Sequence, residues 1–379
     1  MTAIPFLDLK RQNHEIAPAL EKATLRVVQS GRYLLGPETE AFEAEFARWV
    51  GTRYCVAVAN GLEALMIALK ALHIGPGDQV LVPTNTFVAT WLAVSLVGAE
   101  VVGVEPDPHT LVVTADRLDA SLTPRTTAVI PVHLYGRPCP MAEIMAWAKR
   151  RGIAVVEDAA QAHGARWGQQ AAGSFGDAGC WSFYPSKNLG ALGDAGAITT
   201  NDRAVWDLAR RLRNYGSQQK YYHDVIGLNS RMSEMNAAIL RVKLGHLEAW
   251  NQRRHTLVRR YVERLQHLPV ILPPTDALEE SAWHLFVIRT PRRGGLQAFL
   301  SDHGIETQIH YPVPPHRQRA YRPLFGPDRF PVANRLADEV LSLPLGPYLS
   351  LGEVDYVADA LCRFFEEETR EAHHGYSTV

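Results

Sequence analysis

Ser182-Phe183-Tyr184-Pro185-Ser186-Lys187-Asn188-Leu189-Gly190 places one lysine in a loop between two apolar, strand-like runs. Upstream, Val155-Val156-Glu157-Asp158-Ala159-Ala160-Gln161-Ala162-His163-Gly164-Ala165 ends another such run on an aspartate. A lysine amine can bond covalently to an aldehyde cofactor, and a buried carboxylate can keep a pyridine nitrogen protonated. Together they form the protein half of pyridoxal-phosphate chemistry. Each also has a plainer reading. Lysines are mostly solvated surface charges, and an aspartate at a strand end often caps the helix that follows.

The order of elements around these residues favours the chemical reading. Phe42, Phe46 and Trp49 recur at helical spacing in 37–50. Tyr54 to Ala59 reads as a strand, Asn60 as an N-cap, and Leu62 to Leu72 as a helix. Strands at Gln79–Val82, Glu100–Val104, Ala128–Val132 and Ile153–Glu157 alternate with helices at Thr86–Val97 and Met141–Arg151. Such alternation predicts an α/β fold with a mostly parallel sheet covered by helices. Ligands on these sheets bind at the carboxyl ends of the strands, where Asn60, Asp158 and the Ser182–Lys187 loop all fall.

The second half predicts a smaller α+β unit. A long charged helical stretch over 232–268 links to it. Strands at Trp283–Arg289 and Ile305–Ile309 and helices at Leu296–His303 and Glu353–Glu367 would build it. Tyr311 to Pro331 reads as a long Pro-, His- and Arg-rich loop. The expected division is 1–245 and 246–379.

Composition sets outer limits. The chain has 379 residues, 39 basic against 40 acidic, a balance that gives no electrostatic footprint for nucleic acid or a membrane surface. No apolar run reaches the roughly 18 residues of a membrane span. Cys55, Cys139, Cys180 and Cys362 are scattered, without metal-ligand spacing, and suit a reducing cytoplasm. Met1 to Gln12 has no basic segment followed by an apolar core, so no signal peptide is expected. His373 and His374 read as part of a fraying tail, with no metal site implied.

Other candidate ligands each have two readings. The Asn60-Gly61-Leu62 turn can offer backbone N–H groups to a phosphate or simply cap its helix. Phe87 can stack on a cofactor ring or belong to the core. Gln161 can donate to the ligand held by Asp158. His163 can stack on that ligand or sit satisfied in the core. Ser182 can bind the phosphate. Gly190, Gly193 and Gly196 permit close backbone approach.

The motifs GRYLLGPETEAFEAEFA, VHLYGRPCPM, VEDAAQAHGA, SFYPSKNLGALGDAGAI, RLRNYGSQQKYYH, GLNSRMSEMNAAILRVKL, WHLFVIRT and HYPVPPH run in order from near Ile4 to the last helix. In these the chain resembles the sugar-nucleotide aminotransferases of the aspartate aminotransferase fold. The resemblance implies a fold type I enzyme with a mostly parallel seven-stranded sheet and pyridoxal phosphate as cofactor. It implies that Lys187 is the internal Schiff-base lysine, Asp158 the pyridine-nitrogen partner, Gln161 a contact to the ring hydroxyl and Phe87 the stacking residue. Asn60, Gly61, Leu62 and Ser182 form the phosphate turn, with His163 close to the cofactor. Asn229 is similar to the asparagine that reaches the phosphate from the neighbouring subunit, which implies a homodimer with shared sites. Similar enzymes often carry Ser-Gly or Thr-Gly where this chain has Asn60-Gly61; backbone binding would survive that change.

A minority branch of the family dehydrates sugars and has histidine in place of the lysine. Lys187 therefore favours transamination, with glutamate as the donor by family habit. NYGSQQKYYH and HYPVPPH look most like enzymes that aminate C-3 of a dTDP-linked 3-keto-6-deoxyhexose. C-4 aminotransferases acting on UDP- or GDP-linked 4-keto-sugars are the alternative. Tyr184, Lys220, Tyr221 and Arg253 are candidate diphosphate contacts, and Lys220 and Arg253 could equally be solvated charges. A non-catalytic pyridoxal-phosphate-binding protein is the alternative from another class.

Overall fold

The α/β alternation folds as seven strands in one sheet. The computed structural model describes residues 3–375, with side chains as far as Glu367. The readings of the tail and of His373 and His374 therefore lie outside the described side chains. The strands are β1 (Tyr54–Val58), β2 (Gln79–Pro83), β3 (Glu100–Val104), β4 (Thr126–Val129), β5 (Ala154–Asp158), β6 (Ala178–Ser182) and β7 (Gly196–Thr200). Their spatial order is β1-β7-β6-β5-β4-β2-β3. The β3–β2, β2–β4, β4–β5 and β5–β6 pairs are parallel, while β7 runs antiparallel to both neighbours. The fold is thus mixed α/β with a large, mostly parallel sheet.

Helices cover both faces, so the central strands are near-continuous apolar runs, as burial on two sides requires. On one face Leu65, Ile67 and Leu69 of the helix Gly61–Ala71 pack with Trp91, Val80 and Val156. On the other, Phe42 and Phe46 of the helix Pro37–Val50 pack edge-on against Trp181 and Phe183. A separate apolar cluster holds Leu257, Tyr261, Phe286, Leu341 and Leu361. Ile4 joins that cluster, and its backbone bridges to Ile305.

Three expectations change. The stretch 232–268 is two helices, Glu234–Leu244 and Leu247–Leu265, broken at Gly245. The strand β8 (Phe286–Arg289) pairs antiparallel with β9 (Val340–Leu343) and not with 305–309. Among the described residues the latter segment makes single bridges, Ile305 to Ile4 and Gln308 to Ser342, and no continuous ladder. The loop Tyr311 to Pro331 contains a short helix, Arg322–Phe325.

Candidate active site

Strand ends and helix starts converge where the parallel sheet predicts a ligand. Asp158 is the last residue of β5, Ser182 the last of β6, and Asn60 follows β1. They open onto a cleft of about 480 Å3. It is lined by Asn60, Gly61, Leu62, Phe87, Asp158, Gln161, Ser182, Tyr184 and Lys187, all named from the sequence, and also by Thr90, Asp194, His284, His310 and Tyr311.

Local chemistry fixes the first turn of the Gly61–Ala71 helix. Asn60 is extended and its Oδ1 accepts from the Glu63 N–H at 2.9 Å. Asn60 thus caps the helix, and the N–H groups of Gly61 and Leu62 are left without intrahelical acceptors. Gly61 is sterically required. A Cβ there would stand 2.7 Å from the Cβ of Ser182, so only glycine lets the helix start meet the Ser182 hydroxyl. Two free N–H groups, a hydroxyl and the positive end of a helix form a cradle that suits a phosphate.

Asp158 is buried, 7% exposed. Its Oδ2 accepts from the Thr90 hydroxyl at 2.9 Å and its Oδ1 from the Ala160 N–H at 3.2 Å. Thr90 is in turn 2.9 Å from the Thr86 hydroxyl. Burial pushes the Asp158 carboxyl above its ordinary range, against the opposing pull of these donors and of Lys187. A cation at its free lone pairs would relieve that cost. Behind it, Glu157 is fully buried and accepts from the N–H groups of Gly173, Phe175 and Gly176 and from His133 Nε2.

Burial draws the Lys187 amine down to about 8, with Asp158 acting in the opposite direction. Three histidines surround it. Burial, with Lys187 adding to it, holds His163 at about 3, His310 at about 4, and His284 well below its usual value. All three are neutral at pH 7. His284 Nδ1 lies 3.2 Å from Asn188 Oδ1, and Asn188 Nδ2 donates to the Ala282 carbonyl and to Asn251. The residue beside the lysine is thereby anchored.

Gln161 Oε1 accepts from the Tyr135 N–H, and its Nε2 donates to the Tyr311 hydroxyl at 2.9 Å. One amide hydrogen remains for a ligand. Phe87 is 52% exposed with its ring 5.3 Å from that of Tyr311, so a large apolar face lies open in the cleft. Amine, carboxylate, phosphate cradle, amide donor and aromatic face are the donor set that pyridoxal phosphate requires.

Five sequence candidates do not line the cleft of their own chain. His163 is fully buried behind it, against Trp181 and Phe183, with neither ring nitrogen hydrogen-bonded. Arg253 is bound to Glu15 through both guanidinium NH groups, at 2.7 and 2.8 Å, on the helix Leu247–Leu265. Lys220 lies over the Tyr221 ring in an exposed hairpin, Ser217–Gln219 with Tyr222–His223, where Tyr221 is 80% exposed. Asn229 is exposed and bridges to Asn214 beside the base of that hairpin. Thr90, His284 and His310 escaped sequence reading. The 86–97 helix already placed Thr90 one turn after Phe87, which was a usable signal.

Sheet, cleft and lysine–aspartate pair together define an aminotransferase-type fold and site. Residues 14–362 match the DegT/DnrJ/EryC1/StrS aminotransferase family, and the chain belongs to that family. It is 50% identical over 360 residues to the erythromycin biosynthesis sensory transduction protein EryC1 of Saccharopolyspora erythraea, covering 94% of this chain and 98% of that one. It is 47% identical to the dTDP-3-amino-3,4,6-trideoxy-alpha-D-glucose transaminase of Streptomyces venezuelae, covering 96% of each. The crystal structure of S. venezuelae DesV in complex with a ketimine intermediate superposes with a TM-score of 0.94 at 47% identity, over 97% of this chain and 99% of that one.

Proposed function

We propose that this chain is a pyridoxal-phosphate-dependent aminotransferase that moves an amino group from glutamate to C-3 of a dTDP-linked 3-keto-6-deoxyhexose. The observation that carries the reading is the Lys187–Asp158 pair in one cleft with the Gly61–Ser182 cradle. The S. venezuelae relative, a dTDP-3-amino-sugar transaminase, supports C-3 and the dTDP handle.

When bound, the cofactor supplies an electron sink for the carbon that bears the nitrogen. Asp158 holds the ring nitrogen's proton, with Thr90 and the Ala160 N–H fixing both carboxylate oxygens. Gly61, Leu62 and Ser182 hold the phosphate, Gln161 the ring hydroxyl, and Phe87 covers the ring. Lys187 is the anchor and then the base. Its amine, at about 8, is neutral often enough at physiological pH to accept a proton from one carbon and return it to another. Tyr184, His284, His310 and Tyr311 present uncharged polar groups, which suit sugar hydroxyls.

Among the described residues lining the cleft, Lys187 is the sole lysine or arginine. A cofactor phosphate, a sugar diphosphate and the donor's carboxylates call for more positive charge. This supports a homodimer in which the partner supplies it. The exposed hairpin with Lys220 and Tyr221, and Asn229 at its base, are the proposed contribution, together with the exposed apolar side chains of Tyr222 and Ile226. Under this reading Arg253 would first have to leave Glu15.

No described helix is long and apolar enough to cross a membrane. Nucleotide-sugar substrates and four free cysteines support a cytoplasmic site of action. The sensory-transduction name of EryC1 supports a second reading from another class, in which this chain binds pyridoxal phosphate without turnover.

One panel separates these readings. The purified protein is incubated with glutamate and then with 3-keto and 4-keto sugars linked to dTDP, UDP and GDP. Conversion to the pyridoxamine form by glutamate, and back by the dTDP-linked 3-keto sugar, is expected. No spectral change with glutamate overturns catalysis. Return with 4-keto sugars alone overturns the C-3 assignment.

A further inference from the structure

The Val132-His133-Leu134-Tyr135-Gly136 segment runs between the two sides of the cleft, and the proposed chemistry gives it no task. Tyr135 stands in the left-handed region, φ 61°. Its N–H donates to Gln161 Oε1. Its hydroxyl donates to the backbone carbonyl of His310. Its own carbonyl accepts from the Leu285 N–H at 3.2 Å, and that of Gly136 accepts from the Ala282 N–H at 2.9 Å. Gly136 has φ 97°, and a Cβ there would stand 2.8 Å from the backbone nitrogens of Trp283 and His284. One residue thus grips the proposed ring-hydroxyl contact on one side of the cleft and His310 on the other.

We infer that Tyr135 is a positioning residue that sets His310 for the sugar substrate, a role that rests on the sugar-aminotransferase reading above. Its hydroxyl holds the backbone from which the His310 ring projects, while Ser342 Oγ, 2.8 Å from Nδ1, holds the ring itself. His310 is neutral at working pH because of its burial. A neutral imidazole is a hydrogen-bond partner for a sugar hydroxyl. It carries no positive charge to pair with the two carboxylates of a donor such as glutamate, so it adds no ion pair to donor recognition. Loss of the Tyr135 hydroxyl therefore weighs on the sugar and spares the donor. The Gln161 contact uses the backbone of Tyr135 and survives.

The test compares two half-reactions on the cofactor-loaded enzyme by the same absorbance change. One uses glutamate. The other uses a dTDP-3-amino-3,6-dideoxyhexose, the product run backwards. Tyr135→Phe is expected to lower kcat/KM for the amino sugar about fivefold, the size of one neutral hydrogen bond. The glutamate reaction and cofactor affinity should stay within about twofold. Ser342→Ala, which frees the same ring from the other side, should reproduce this split. Equal slowing of both half-reactions means a merely structural role and overturns the inference. So does no change in either for both variants. If the wild type reacts with glutamate but with no amino sugar, the sugar-aminotransferase reading itself fails and this inference falls with it.

Discussion

The hydroxyl of Thr90 donates to Oδ2 of Asp158 at 2.9 Å, although the two residues are 68 positions apart. With the Ala160 N–H on Oδ1, it uses one lone pair on each oxygen and fixes the plane of the carboxylate. Asp158 is thus held at the end of β5 before any ligand arrives. Its charge is costly there until a cation faces it.

Asp158→Ala should weaken cofactor binding and nearly eliminate turnover. Removing one partner of a buried charged pair costs about 3–5 kcal/mol. Thr90→Val keeps the shape and removes one donor, so its cost should be about 1–2 kcal/mol. Equilibrium titration of the apoprotein with pyridoxal phosphate measures both. Wild-type affinity and rate in Asp158→Ala would reduce that residue to a helix cap.

Lys187→Ala should abolish transamination with the fold intact, because the side chain opens into a cleft and is not a core support. Borohydride reduction of the wild type followed by peptide mapping should place the cofactor on Lys187. A tag on another lysine ends the assignment.

The depressed Lys187 amine gives capture of the cofactor by the apoprotein a definite pH dependence. Burial draws the amine down to about 8, well below the 10.5 of a free lysine. The capture rate should rise as pH increases toward about 8 and level above it, since the neutral amine is the attacking form. Stopped-flow mixing across pH 6 to 10 would record it. A rise that continues to beyond pH 10 would show an amine of ordinary basicity.

Shared sites predict complementation between an inactive chain and an impaired one. A Lys187→Ala chain and an Asn229→Asp chain form a mixed dimer in which one site carries both defects and the other neither. Asn229→Asp sets a carboxylate beside the cofactor phosphate, which weakens binding by like-charge repulsion. Activity should return after subunit exchange. No gain over either parent, once exchange is established, places Asn229 within its own chain.

Legibility in the sequence followed the reach of each signal. The sheet strands, Asp158 at a strand end, Asn60 as a cap and Lys187 between β6 and β7 announce themselves within a few residues, through apolar runs and capping chemistry. His284 and His310 were not read as ligands because their place depends on contacts with Asn188, Tyr135 and Ser342, between 32 and 175 positions away. The run 305–309 has strand-like residues but no continuous partner, and β9 took the place beside β8. Gly245 divided the long helical stretch, where charge periodicity alone suggested continuity. Arg253 shows the weakness of reading exposed charge: Glu15, 238 positions away, is its partner.

Asn60 and Gly61 are neighbours with opposite freedom to vary. Position 60 requires only a short, uncharged side chain with an oxygen to cap Glu63, so serine or threonine could replace it during divergence without disturbing the turn. Position 61 faces the Ser182 side chain with no room for a methyl group. Drift among descendants of this chain should therefore be permitted at the first position and purged at the second, so that the less chemically expressive residue of the two is the better marker of an intact site.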